Sequence, residues 1–553
     1  MRRHIARWMK YLVEQRPLKL LGLKNTLWQG RLPSPIVCCV FLAFAASLVW
    51  LAFLAISFAF ATPLCCADDA AISLVAKSVA QGHGYTIPVN FIAESGRFRF
   101  DPGISTGATL ILPAAAAIAL FGNHAWVPGL TSAVISIGLL CWLGYLSLRR
   151  FGVKEGSSYG LALVVLLYLA SSGANFVQWS ALVGEIPAAL LTILAAFYVT
   201  EEPHNGNKRF IAGLLAGLAM QSKMLAFLAL PVLAIFALWG EQGLGRTRKD
   251  WQLFAYFLVG FLIPNVAFEV WRLSVLGPHG YVEWFNEMRT FMNLQVPGVR
   301  QNEGRLSVVI DRAASNSASA MKGYGHTPLE TACCMFFSTI IAWITLSRSS
   351  GKIIACLMGV AVTNLAWWVL FSNGWPRYEL IGMCLSAATM ATVVLWRADP
   401  VLKTLAILAA ALSVGPIFNP SQILWSISGP APMPTGGSSR INNLEQVLTP
   451  VMKENGDAVL IGSWWASLVE AQFLLKPNVR VVGFNRLYSI KENNLRGFLI
   501  LNKKWDAFGN MENNPDFRHF QESECGKLLN ENADFVLYDC AASVFKSGSS
   551  VAN

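Results

Sequence analysis

The sequence predicts a polytopic α-helical membrane protein of about eleven spans, with juxtamembrane helices in a long first outer loop and a small C-terminal α/β domain. Three observations predict it. Apolar windows of about 20 residues recur along most of the chain, separated by short polar knots. Of 553 residues, 54% are hydrophobic and 14% charged, against about a quarter charged in an ordinary soluble chain. Beyond residue 425 the composition turns polar, and strand-like segments alternate with helical ones.

The 19 Trp and 33 Phe suit interfacial belts and packing in lipid. A net charge of +11 could suggest nucleic acid, but the basic residues are dispersed among loops between apolar runs. Membrane topology accounts for them, and no nucleic-acid partner is expected. The 11 cysteines form no CxxC pair, which argues against a zinc or redox motif. Cys525 and Cys540 lie in the polar tail, where a disulfide fits an extracytoplasmic location.

Residues 1–35 are basic and belong on the cytoplasmic face, with no cleavable signal peptide. The transmembrane domain covers 36–424. Its first span, 36–60, is closed by Thr62-Pro63 and delivers the chain to the first outer loop, 61–128. Within that loop 70–80 reads as a short helix stopped by Gln81-Gly82-His83-Gly84-Tyr85. The apolar run 104–121 is read as an interfacial helix. Were it a span, the basic cluster Arg149-Arg150-Phe151-Gly152-Val153-Lys154 after the next span (129–148) would face outside. Spans follow at 157–175, 186–200, two short ones flanking Gln221-Ser222-Lys223, and 251–274. A second long outer loop, 276–328, holds an amphipathic helix near 281–294, and spans at 329–346, 353–371, 378–396 and 402–418 complete the domain. The domain 425–553 is extracytoplasmic, with strands at 458–462, 479–483 and 535–538 and helices at 444–453 and 465–475.

The unusual stretch is Cys65-Cys66-Ala67-Asp68-Asp69, where two carboxylates sit as the first span leaves the bilayer. Boundary charges are normally Lys or Arg, whose stems snorkel; short Asp side chains must meet water, a cation or a substrate. From spacing alone they are either helix caps and solvated acids or members of a site.

Asp68-Asp69-Ala70-Ala71-Ile72 with Ala80-Gln81-Gly82-His83-Gly84-Tyr85 resembles the first-loop motif of GT-C superfamily glycosyltransferases, which include protein O-mannosyltransferases and bacterial lipid A aminoarabinose transferases. Further segments follow in the family's order. They are Asp101-Pro102-Gly103 through Thr109, Leu148-Arg149-Arg150-Phe151-Gly152, Gly184-Glu185-Ile186-Pro187, Ala212-Gly213 through Lys223, and Trp375-Pro376-Arg377-Tyr378. The resemblance covers roughly 36–400 and adds little beyond. It departs in two places: the first-loop pair, often Asp-Glu, is Asp-Asp here, and the later acid, often Asp, is Glu185.

The resemblance implies an enzyme that takes a sugar from a polyprenyl-phosphate carrier and transfers it, with inversion, to a hydroxyl on a lipid, glycan or protein. Membrane lipid and cell-envelope glycan or lipopolysaccharide synthesis are the expected setting, in a bacterial inner membrane with the site outside. Such a reaction needs a base for the acceptor and cations for the leaving phosphate. Asp68 is the expected base and Asp69 its support, since neighbouring helical side chains diverge by about 100°. Glu185 is expected as a metal ligand or acceptor-positioning group. Lys223 and Arg377 with Tyr378 are the expected phosphate partners, and Arg97 and Arg99 contact a substrate or are solvated. A divalent cation (Mg or Mn) on Asp68 and Glu185 is compatible but not required. A lipid or sugar-lipid transporter is the competing class; it calls for ionisable residues deep in spans, and only Glu269 has that placement.

Overall fold

The computed structural model describes residues 34–87, 98–171, 173–201, 205–240, 244–295, 336, 351–371, 376–395, 437–462, 469–476, 478–483, 495–503 and 521–540. Of the expected elements, the N-terminal segment and the spans at 329–346 and 402–418 lie outside them, save Phe336 and residues 34–35.

α1 (Pro35–Ala61) starts with proline at its first turn, where a missing N–H costs nothing. At 27 residues it reaches about 40 Å, enough to cross a bilayer. α2 (Ala67–Ala80) follows after a short turn and carries the two aspartates in its first turn. It ends at Gln81, after which Gly82 (φ 78°) and Gly84 (φ 74°) turn the chain, as the Gln-Gly-His-Gly stretch predicts. The two-residue strands β1 (Thr86–Ile87) and β2 (Phe98–Arg99) pair antiparallel. α3 (Ala108–Phe121) is 14 residues, about 21 Å, shorter than the ~20 residues a membrane-crossing helix needs.

Two expected loops prove to be sharp breaks. α4 (Trp126–Ala170) runs through the region where a basic loop was expected between two spans. At Gly152 (φ 80°) the chain leaves helical geometry and closes back so tightly that a Cβ on Gly156 would lie 2.6 Å from Ser147 O. Arg150 in this turn donates to Phe197 O and Thr200 Oγ1, capping the far end of α5 (Glu185–Thr200). The second half stops at Ala170 rather than 175, and a 3₁₀ segment, Gly173–Trp179, leads to α5.

α6 (Gly206–Ser222), a 3₁₀ turn (Met224–Ala229) and α7 (Leu230–Leu238) are the short pair around Lys223. α8 (Arg248–Gln295) absorbs both the span expected at 251–274 and the amphipathic helix, breaking at Gly277 (φ 68°) before Pro278. α9 (Gly351–Phe371) and α10 (Pro376–Ala391) match the later spans in place. Among the described residues, three helices (α1, α4 and α8) are long and apolar enough to cross a membrane.

In the C-terminal region α11 (Gly437–Met452), β3 (Ala458–Gly462), α12 (Val469–Leu474), β4 (Val479–Gly483), β5 (Arg496–Asn502), β6 (Lys527–Glu531) and β7 (Phe535–Cys540) form an α/β unit. The sheet order is β4-β3-β5-β7-β6, with β4, β3 and β5 parallel and β7 and β6 antiparallel. The partly parallel sheet was expected; β5 and β6 were not. The Cys525–Cys540 disulfide is present. Ile441, Val469 and Phe473 of this unit share one apolar core with α2, α3 and Phe268 of α8, so the unit packs on the first loop.

Candidate active site

The site is assembled where three chain segments are stitched backbone to backbone. Gly107 N–H donates to Gln221 O at 2.7 Å, and Met224 N–H donates to Ser105 O at 3.2 Å. Thr106 Oγ1 donates to Val183 O at 3.1 Å, and Tyr85 OH donates to Thr106 O at 2.5 Å. Gly184 (φ 91°) passes so close to α6 that a Cβ would lie 2.1 Å from Ser222 O. Only glycine fits that crossing. It brings Glu185, at the first position of α5, against Lys223, the C-cap of α6.

Two ion pairs result. Glu185 Oε1 and Lys223 Nζ are 2.9 Å apart, with side chains 0% and 3% exposed. Nearer solvent, Arg377 from the first turn of α10 pairs with Asp68 Oδ2, at 16% and 31% exposure. Tyr378 lies between the cations: its ring centre is 5.7 Å from Lys223 Nζ and 5.1 Å from Arg377 Cζ, and Arg377 Nη2 donates to its hydroxyl at 3.4 Å. The predicted residues Asp68, Glu185, Lys223, Arg377 and Tyr378 therefore converge, although α2, α5, α6 and α10 supply them from distant parts of the chain. Exposure separates their roles. Asp68 can meet a solvent-borne group, whereas Glu185 is sealed beneath it with its counter-ion.

Asp69 is placed differently from its expected supporting role. It is 3% exposed. Its Oδ2 accepts the Cys65 N–H at 3.0 Å, and its Oδ1 accepts the Leu182 N–H at 2.6 Å. The first contact reaches back over the start of α2 as a capping-box acid does; the second clamps the loop that leads to Glu185. Burial pushes its pKa up to about 6, against the pull of these two N–H donors. Asp69 is a structural clamp.

Arg99 does not join the cluster: its Nη1 donates to Val275 O on α8 at 3.3 Å. Arg97 lies outside the described residues. Glu269, the one acid expected inside a span, is bound by Arg272 Nη1 at 2.8 Å and by Tyr281 OH at 2.9 Å. Arg272 in turn lies 3.7 Å from the Trp284 ring centre, and Trp284 Nε1 donates to Phe100 O, so this group fastens the second leg of α8 to the first loop. Among the described residues no three His, Cys, Asp or Glu side chains are grouped to hold a metal ion. Asp68 and Glu185, the two carboxylates expected to share a cation, each face an organic cation instead. No step below uses a divalent ion.

Sequence reasoning missed Lys77, whose Nζ donates to Gln472 O, Phe473 O and Leu475 O and so binds the C-terminal end of α12. A lysine on the inward face of an outer-loop helix was the available signal. Gly184 and the Gln221–Asn265 hydrogen bond (2.9 Å) beneath the site were also missed.

Two acid–cation pairs therefore meet at the first-loop end of the helical bundle. The fold is similar to that of ArnT from Cupriavidus metallidurans bound to undecaprenyl phosphate, with 12% identity, TM-score 0.57, and 91% of this chain and 98% of that one covered. Apo ArnT from the same organism gives 12%, 0.55, 90% and 98%. The archaeal oligosaccharyltransferase AglB from Archaeoglobus fulgidus, in complex with an inhibitory peptide and a dolichol-phosphate, gives 11%, 0.43, 83% and 69%. No family model and no curated protein sequence matches.

Proposed function

We propose that the chain is an inverting glycosyltransferase that moves a sugar from a polyprenyl-phosphate carrier to a hydroxyl acceptor on a lipid, glycan or protein, on the extracytoplasmic face of the membrane. The observation that carries the reading is the partly exposed Asp68–Arg377 pair beside the buried Glu185–Lys223 pair, with the Tyr378 ring near both cations. It is supported by likeness in fold to a protein captured with undecaprenyl phosphate.

The chemistry follows from charge. At rest the site holds two carboxylates and two cations. An arriving phosphate anion attracts Arg377 more strongly than the single carboxylate of Asp68 does, and Lys223 adds a second positive charge nearby. Arg377 then moves from Asp68 to the phosphate, leaving Asp68 as a free carboxylate beside the anomeric carbon. The acceptor hydroxyl gives its proton to Asp68 as its oxygen forms the new glycosidic bond, and the carbon–oxygen bond to the phosphate breaks. The phosphate leaves with the electron pair, stabilised by the two cations. Attack from the face opposite the leaving group inverts the centre. Glu185 holds Lys223 in place rather than touching substrate.

The test is sugar transfer from a polyprenyl-phosphate donor in membranes containing Asp68→Asn. Full activity in a normally folded variant refutes the assignment of the base. Donor uptake or translocation without any transfer product, in the native chain, would instead favour the transporter reading.

A further inference from the structure

Two thiols stand immediately before the acids. Cys65 and Cys66 bring their Sγ atoms to 3.2 Å, and both are half-buried. Adjacency alone does not produce this: Cys38 and Cys39 are also neighbours, but within α1, where successive side chains diverge by about 100°. Cys65–Cys66 instead occupy the turn before α2, with Cys66 extended (φ −161°, ψ 169°) as its N-cap.

Their compartment is fixed by contact. The Cys525–Cys540 bridge belongs to an oxidising environment. The same unit is held against the first loop by Lys77 and by Asn123, whose Nδ2 donates to Phe473 O at 2.7 Å. The vicinal thiols and the disulfide therefore share one side of the membrane, whichever way the spans are oriented.

We propose that Cys65 and Cys66 form a reversible modification site, oxidised by a small or protein disulfide to a vicinal disulfide that displaces Asp68 from Arg377. Cys66, whose Sγ lies against that of Cys65, loses its proton and attacks one sulfur of the incoming disulfide, whose first thiolate leaves and takes up that proton. Cys65 then attacks Cys66 Sγ, and its proton passes to the second thiolate as that leaves. Two thiols are oxidised and one disulfide is reduced. Successive Cα atoms are about 3.8 Å apart, below the usual bridged range, so the ring is strained and easily reduced again. Closing it turns Cys66 out of its extended capping conformation. That loosens the Cys65 N–H bond to Asp69 and re-aims Asp68, two residues on.

The modification does not depend on the proposed reaction; only its consequence for catalysis rests on that reading. The full chain in detergent is exposed to oxidised glutathione, alkylated under native conditions without reduction, and peptide-mapped. The peptide containing Cys65 and Cys66 is expected to be unalkylated and lighter by two hydrogens, and to take two alkyl groups only after dithiothreitol. Phenylarsine oxide, which bridges close thiol pairs, should protect both residues, and Cys65→Ser should abolish that protection. Two alkylated cysteines after oxidant, or a stable mixed disulfide with glutathione, overturns the proposal. Hydrogen exchange over 64–72 is the second readout: faster exchange in the oxidised form is expected, and an unchanged pattern overturns the displacement of Asp68. Because neither readout uses sugar transfer, a protein with no transferase activity would refute the functional reading while leaving this one standing.

Discussion

Arg377, in the first turn of α10, closes an ion pair on Asp68, in the first turn of α2. The proposed base is thereby covered until something competes for the guanidinium. Asp68→Asn keeps the shape and removes the base, so transfer should fall about 10²–10⁴-fold with little change in folding. Arg377→Lys keeps the charge but loses the planar fork, and should weaken donor use more than acceptor use. Steady-state transfer in membranes, with each substrate varied in turn, checks both.

The Glu185–Lys223 pair tests a different principle. Removing one partner leaves a charge sealed in an apolar bundle, so Lys223→Met should cost about 3–5 kcal/mol of stability. Adding Glu185→Gln should recover much of that cost. Thermal unfolding of the four members of the cycle measures the coupling, and additive losses would deny it.

Asp69 gives a pH signature. Its folded pKa of about 6 lies above the ordinary carboxylate value, so the folded state holds the proton more tightly than the unfolded chain. The contribution is complete below about pH 4 and is lost as the pH rises through 6, amounting to about 3 kcal/mol by pH 8. Asp69→Asn cannot ionise. The native protein should therefore lose stability relative to Asp69→Asn between pH 4 and 8, measured as the difference between their unfolding midpoints.

Gly184 is the position where one methyl group decides the site. Gly184→Ala forces a Cβ into Ser222 O at a φ that L residues rarely adopt. A loss of about 3 kcal/mol or more is expected, with activity falling because Glu185 and Lys223 separate. An alanine variant of normal stability and activity would contradict the crossing.

Lys77 ties the C-terminal unit to the first loop through three carbonyl acceptors. Lys77→Met keeps the stem and removes the donors. Hydrogen bonds from a charged group contribute about 1.5–3 kcal/mol, so exchange over residues 469–475 should accelerate clearly while α9 is unaffected.

The charged residues that converge were legible because short acids at a bilayer edge are costly unless used. Asp68, Glu185, Lys223, Arg377 and Tyr378 could all be picked out on that ground together with the family-like order of segments. Asp69 could not be separated from Asp68, since adjacent carboxylates look alike until the backbone they face is known. The sealed pairing of Glu185 with Lys223 was hidden for a related reason. A sequence shows which oxygens are available, but not that each already has a cation of its own. Loop lengths were misread at Gly152 and Gly277, where one left-handed glycine does the work of a loop.

The sequence by itself determined that this chain lives in a membrane, and that its first loop carries the unusual acids. Apolar runs and misplaced charges are one-dimensional signals, enforced by the cost of exposing either to the wrong solvent. Only the tertiary structure decided which acid faces solvent, which cation covers it, and that Cys65 and Cys66 meet beside it. Those are questions of direction and distance between segments far apart in the chain. They are settled by close backbone crossings such as Gly184 over Ser222, which no local pattern announces.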